Sequence, residues 1–262
     1  MNIFVCVKQV PDTETKVSPK SDKNFIETGS IKWIMNPYDE FAVEQALQIK
    51  QANAGSTVTV IRVGSKQSTE TLRTAMAMGA DDGIHIEAPD LLDSYATAKA
   101  IKLGLDKLGK NPDLILCGKQ AIDSDALQVP QVLAEMYNYP SVSVVVGYEQ
   151  NGDNLTVKRE VEGGSLEVYN LSTPCVIACN KGLNTPRYAS LPGIMKAKKK
   201  PLESLTLDDL GLNLDDQRLA YSNFRLPPEK PEGKKFDAMD EGTEQDVVGN
   251  VVGLLKSEAK VL

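Results

Sequence analysis

Residues 118 to 130 read GKQAIDSDALQVP and lie between an apolar run, Leu114 to Cys117, and a helical pattern. Loops in that position bind phosphorylated ligands in α/β proteins, because backbone N–H groups at the following helix start face the anion. This loop has a single glycine, Gly118, and carries two aspartates, Asp123 and Asp125. It matches neither GxGxxG nor GxxxxGK[ST], so no lysine and hydroxyl pair sits in a glycine-rich turn to handle a γ-phosphate and Mg²⁺. Carboxylates repel phosphate, but they accept hydrogen bonds from ribose hydroxyls or cap a following helix. The residue types therefore disfavour triphosphate hydrolysis. They suit a monophosphate or an adenosine moiety bound without chemistry.

Three other stretches carry candidate groups. Asn36-Pro37-Tyr38-Asp39 opens a helical pattern, with Asn36 suited to the N-cap, Pro37 to the first helical position and Asp39 to the third. The same helix start stands where its N–H groups could face a ligand. In KREVEGG (158–164), Arg159 and Glu160 fall on a strand pattern and point to opposite faces. In RYASLPGIMKAKKK (187–200), Leu191, Ile194 and Met195 read as loop residues, followed at once by Lys196, Lys198, Lys199 and Lys200. Apolar loop residues beside a basic cluster suit an anchor with steering charge for an acidic partner, against the alternative of a solvated charged run.

Hydrolytic and metal chemistry are poorly served. The single histidine, His85, lies in the strand-like GIHIEA, so a Ser-His-Asp arrangement would have to use a strand histidine. The four cysteines are Cys6, Cys117, Cys175 and Cys179. Cys175 and Cys179 would stand roughly 13 Å apart on a strand at ~3.3 Å per residue, too far for one tetrahedral metal site. They read as buried thiols of a reducing compartment.

The elements that must position these groups alternate over the first 140 residues. Strand patterns at 2–8, 57–63, 83–88 and 113–118 are separated by helical patterns at 36–52, 69–79, 93–109 and 127–138. In the second helix Leu72, Ala75 and Met76 recur at helical spacing and Gly79 supplies the stop. This alternation predicts an α/β fold, a doubly wound and mostly parallel sheet of the adenine-nucleotide-binding, Rossmann-like kind. Ligands then bind beyond the C-terminal strand ends, in loops 9–36, 64–68 and 118–127. From 141 onward SVSVVVGYEQ, NLTVKREVEGG, SLEVYNLS and PCVIACN predict an antiparallel extension, with Gly163-Gly164 as a turn. The expected organisation is a domain over 1–210, with an irregular loop at 181–201, and an arm over 211–262. The arm ends in a helix that places Val247, Val251, Leu254 and Leu255 on one face.

Composition narrows the function classes. A net charge of −7 and a pI near 5.0 argue against general nucleic-acid binding, which needs a broad basic face. No apolar stretch reaches the ~18 residues of a membrane helix, so no membrane insertion is expected. The start, MNIFVCVKQVP, reads as a strand rather than a leader because Lys8 interrupts it, so the expected location is the cytoplasm or, in a eukaryote, the mitochondrial matrix.

Taken together and in order, NPYDEFAVEQAL, TLRTAMAMGADDGIHIE, GKQAIDSD, VKREVEGG and NTPRYASLPGIMKAKKK resemble the beta subunit of electron-transfer flavoprotein, over about residues 1 to 210. The resemblance implies a heterodimer whose alpha subunit holds most of the FAD site. It also implies a structural AMP in the beta subunit. It maps the AMP site onto Cys6, Asn36, Pro37, Tyr38, Asp39, Val63, Gly118, Lys119, Gln120, Ala121, Ile122, Asp123, Ser124, Asp125, Ala126, Leu127, Gln128 and Val129. It identifies 187–200 as a recognition loop, with Tyr188, Leu191, Pro192, Ile194, Met195 and Lys196 facing acyl-CoA dehydrogenases and Leu191 as the inserted residue. It pairs Glu160 with an arginine of the mobile flavin domain of the alpha subunit. The implied role is electron carriage from dehydrogenases to a membrane quinone oxidoreductase, with no catalytic residues and no metal. Another branch of the family places a second FAD where AMP would sit and bifurcates electrons with NADH; TLRTAMAMGADDGIHIE and RYASLPGIMKAKKK resemble the AMP-binding branch more closely.

Overall fold

Buried apolar strands alternate with amphipathic helices along the first half of the chain, and that alternation winds the sheet in both directions from its centre. The computed structural model describes residues 1–230, 232–237 and 243–262. The elements of the first half are β1 (Asn2–Cys6), β2 (Gln9–Pro11), β3 (Trp33–Met35), α1 (Pro37–Ala52), β4 (Thr57–Gly64), α2 (Thr69–Met78), β5 (Asp82–Glu87), α3 (Ser94–Lys107), β6 (Leu114–Gly118) and α4 (Val129–Tyr137). There follow β7 (Ser141–Asn151), β8 (Asn154–Glu160), β9 (Leu166–Ser172), β10 (Cys175–Cys179), α5 (Leu191–Lys199) and β11 (Leu202–Thr206). They build a nine-stranded sheet in the order β11-β5-β4-β1-β6-β10-β7-β8-β9. Pairing is parallel from β11 through β7 and antiparallel for β7 with β8 and β8 with β9.

Side-chain alternation on the strands assigns each face its helices. On β1, Ile3 and Val5 join a core formed with Ala42, Val43 and Ala46 of α1, Leu72, Ala75 and Met76 of α2, and Ala197 of α5. Phe4 points the other way, to Ala98, Ile101 and Leu105 of α3 and Leu133 of α4. Leu114, Ile115 and Leu116 in β6 are fully buried on alternating faces, so truncating any of them to alanine would cost about 2–5 kcal/mol.

Three expectations are corrected. PCVIACN is not part of the antiparallel extension: β10 lies between β6 and β7, parallel to both. It is buried at every position, which marks a strand covered on both faces. Residues 191–199 are not loop but helix α5. Ser190 caps it by accepting from the Gly193 N–H at 3.1 Å, and Pro192 in its first turn forfeits only a hydrogen bond that has no intrahelical partner. Finally, β11 extends the sheet beyond β5, where no strand was expected.

One compact unit covers Met1–Phe224 and a second Arg225–Leu262. Asp93 caps α3 by accepting from the Ala96 N–H at 2.7 Å. Its other oxygen accepts from the N–H groups of Arg218 and Leu219, holding that stretch in the first unit. The second unit contains α6 (Glu244–Ser257), opened by a capping box between Thr243 and Asp246. Pro231 and residues 238–242 of the expected arm lie outside the described residues.

Candidate functional site

The chain leaves β1 for β4 and β5 on one side, while β6, β10 and β7 lie on the other. Loops leaving the C-terminal ends of β1 and β6 therefore diverge, and a crevice opens where sheets of this kind bind ligands. A cleft of about 1470 Å³ occupies that place. It is lined by Cys6, Asn36, Asp39, Val63, Gly118, Lys119, Gln120, Ala121, Ile122, Asp123, Ser124, Ala126, Leu127, Gln128 and Val129. Of the residues expected there, Pro37, Tyr38 and Asp125 are not in the lining. A flap made from β2, β3 and the loop between them adds Phe25, Ile26 and Trp33, and Phe224 packs edge-on against Phe25 at 6.0 Å.

Asp39 ties the floor together. Its carboxylate accepts from the Lys8 N–H at 2.7 Å, the Asn36 side-chain amide at 2.9 Å and the Gly118 N–H at 3.1 Å, joining the ends of β1 and β6 to the start of α1. Burial pushes its carboxyl up to about 7 against the pull of these three donors. Asn36 does not use its side chain as an N-cap. The amide instead donates to the Gln120 carbonyl at 2.9 Å, and its oxygen accepts from the Ile122 N–H at 3.2 Å, which pins the 118–129 loop to α1. Gly118 is required by close approach: a Cβ there would stand 2.7 Å from Cβ of Tyr38 and would also strike Asp39.

The two aspartates of the loop have separate partners. Asp123 pairs with Lys8 at 2.7 Å, and Asp125 accepts from the Gln120 side chain. Lys119 lies 5.1 Å from the ring centroid of Tyr38. Asp125 and Leu127 both have left-handed backbone, φ 47° and 53°, a costly conformation for a branched residue such as leucine.

Of the cleft residues that the sequence reading did not single out, Arg62 is the most unusual. Arg62 is only 4% exposed and lines the cleft, and among the described residues its Nε and Nη1 have no hydrogen-bond partner. Burial lowers its guanidinium to about 10, opposed by the charges of Asp90, Asp39 and Asp123. The signal was present: an arginine inside the apolar run TVTVIRV needs a partner. His85 is buried with Nε2 3.0 Å from the Gly64 carbonyl, and burial lowers its pKa. Burial likewise pushes the Cys175 thiol up to about 12.

A second surface lies on α5. Tyr188 is 97% exposed and Leu191 80%, with Pro192, Ile194, Met195 and Lys196 also exposed. Their support is firm. Arg187 grips buried Glu44 through Nε at 2.7 Å and Nη2 at 2.8 Å, Asn184 donates to the Phe41 carbonyl at 3.0 Å, and Arg73 donates to the Ala197 carbonyl at 2.6 Å. Lys200 is drawn out of the basic cluster, donating to the Ala80 carbonyl at 2.7 Å. Glu160, at the end of β8, accepts from the Asn180 amide at 2.9 Å.

Residues 24–210 match the model of the electron transfer flavoprotein domain. The chain is 40% identical to the electron transfer flavoprotein subunit beta of Bacillus subtilis, over the full length of both. It is 38% identical to the subunit beta of Dictyostelium discoideum, across 100% of this chain and 99% of that one. It is also 38% identical to the subunit beta of Homo sapiens, across 92% and 94%. The chain belongs to the electron transfer flavoprotein beta-subunit family. Membership carries an electron-transfer role tied to flavin and an alpha-subunit partner, and it sets the chain among carriers rather than conventional enzymes. Among the described residues of this beta-subunit chain, no helix is long and apolar enough to cross a membrane.

Proposed function

We propose that the cleft holds AMP without turning it over. Paired with an FAD-binding alpha subunit, the chain carries electrons from acyl-CoA and related dehydrogenases to a membrane quinone oxidoreductase, in the cytoplasm or the mitochondrial matrix. The observation that carries the reading is a cleft with ample room for a nucleotide at the topological switch point of a chain in the beta-subunit family.

The residues fit AMP. Among the described residues, the buried Nε and Nη1 nitrogens of Arg62 have no acceptor, and a phosphorylated ligand brings acceptors. The loop lacks the groups for γ-phosphate chemistry. Asp123, neutralised by Lys8, keeps lone pairs for a ribose hydroxyl. Asn36 and Asp39 hold the loop against α1, so the clamp is held together by the chain's own tertiary hydrogen bonds. FAD, held mainly by the alpha subunit, supplies the redox chemistry. The part of this chain is to hold and to dock. Leu191, on a braced helix with Met195 and preceded by Tyr188, offers an apolar anchor, and Glu160, held by Asn180, offers its charge to a cationic group of the alpha subunit.

The test is to release nucleotides by acid from the purified heterodimer and count them. One FAD and one AMP per heterodimer is the expected result. Two FAD and no AMP would overturn the reading in favour of an electron-bifurcating carrier.

A further inference from the structure

Arg62 is the one charged residue of β4. Its side chain folds along the turn into α2: Nη2 lies 2.7 Å and Cζ 3.2 Å from the point where a Cβ on Gly64 would stand. Gly64 has φ +150° there, so the turn both needs glycine and leaves room for the guanidinium at the edge of the cleft. Among the described residues Arg62 makes no ion pair, and Nε and Nη1 have no acceptor. A cation removed from water without a partner is costly, and it persists in a fold where something else pairs with it.

The nearby acids do not fill that role. Asp39 is occupied by three donors, and Asp123 is held by Lys8 at 2.7 Å. Asp90 shares the cleft lining but forms no ion pair with Arg62 within 4.0 Å. The start of α4 is the competing seat for an anion. It offers about half a charge, its Pro130 lacks an N–H, and its Gln128 makes no side-chain cap bond. A full charge in a water-poor site outweighs that, and a planar guanidinium matches phosphate oxygens.

We propose that Arg62 recognises the phosphoryl group of the nucleotide in the cleft and so sets the preference for a phosphorylated over a dephosphorylated ligand. This deepens the AMP reading and rests on it. Losing a charge-assisted hydrogen-bonding group of this kind lowers affinity roughly tenfold to a hundredfold.

The experiment uses the heterodimer stripped of its cleft nucleotide, with AMP and adenosine titrated calorimetrically into wild type, Arg62→Gln and Arg62→Lys. Arg62→Gln is expected to weaken AMP by about tenfold to a hundredfold while adenosine changes less than about twofold, with Arg62→Lys between. Equal losses for AMP and adenosine, or no loss for either, would overturn the proposal. Should Arg62→Gln fail to fold, the Arg62→Lys comparison decides by the same criterion. If the cleft holds FAD, the titration is repeated with FMN against riboflavin, which differ by the phosphoryl group alone. A selective loss of FMN then upholds Arg62 while the AMP reading falls. A wild-type cleft that prefers the dephosphorylated ligand in both pairs would sink the role of Arg62 whichever nucleotide is native.

Discussion

Replacing Asp39 with asparagine removes an ionisable group from the floor of the cleft and keeps its shape. In the native protein burial holds the carboxyl near pKa 7, against an ordinary value of 3.8. Between those values the folded state binds the proton more tightly than the unfolded one. The stability that the protonated form contributes is therefore fully present below about pH 4, and it is lost as pH rises through 7. At about 1.4 kcal/mol for each pH unit between the two values, the whole effect is about 4 kcal/mol, of which about 2 kcal/mol falls between pH 5 and 7. Asparagine cannot titrate. It keeps one acceptor for Asn36 and Gly118 but turns its amide toward the Lys8 N–H, a mismatch costing about 1–3 kcal/mol. Urea unfolding followed by emission of Trp33, the single tryptophan, reports on the neighbouring β2–β3 flap. Wild-type stability measured against Asp39→Asn should shrink by about 2 kcal/mol from pH 5 to 7 and level off above 8. A difference that stays flat or grows over that range would refute the argument that burial outweighs the three donors.

Arg187→Ala leaves the Glu44 carboxylate buried and without its guanidinium; because Arg187 is itself partly exposed, the expected loss is about 2 kcal/mol, with faster proteolysis in 181–190. An unchanged digestion rate would count against that bracing. Gly118→Ala should separate the end of β6 from α1, lower stability by about 1–3 kcal/mol and reduce the nucleotide retained on purification, measured by release and quantitation. Leu191→Ala should slow electron transfer from several dehydrogenases while leaving the flavin absorption spectrum unchanged; equal rates with every donor would remove the docking role of α5.

Period and punctuation were enough for the βα units. Leu72, Ala75 and Met76 recur at helical spacing and Gly79 ends the helix, so α2 was readable from local signals alone. The 118–129 loop reads as a candidate ligand loop without the groups for triphosphate chemistry, because residue type limits what a loop can hold. Where a segment depends on distant partners, the local pattern misled. Residues 187–200 read as an irregular, charged loop because Pro192 and Gly193 interrupt the pattern and four lysines follow. They form a helix because Ser190 caps it, while Arg73, 124 residues away from Ala197 in sequence, accommodates its last carbonyls.

Readable without the fold are the alternating strands and helices, the placement of the candidate ligand loops at strand ends and the lack of a triphosphate motif. These follow from local propensity, side-chain period and residue chemistry. It takes the assembled fold to put β10 into the parallel sheet between β6 and β7, to turn the side chains of Asn36 and Asp39 to clamping rather than capping, and, among the described residues, to leave Nε and Nη1 of Arg62 without an acceptor beside the cleft. Each of these depends on groups brought together from far along the chain, and on which polar atoms are left without a partner once they meet.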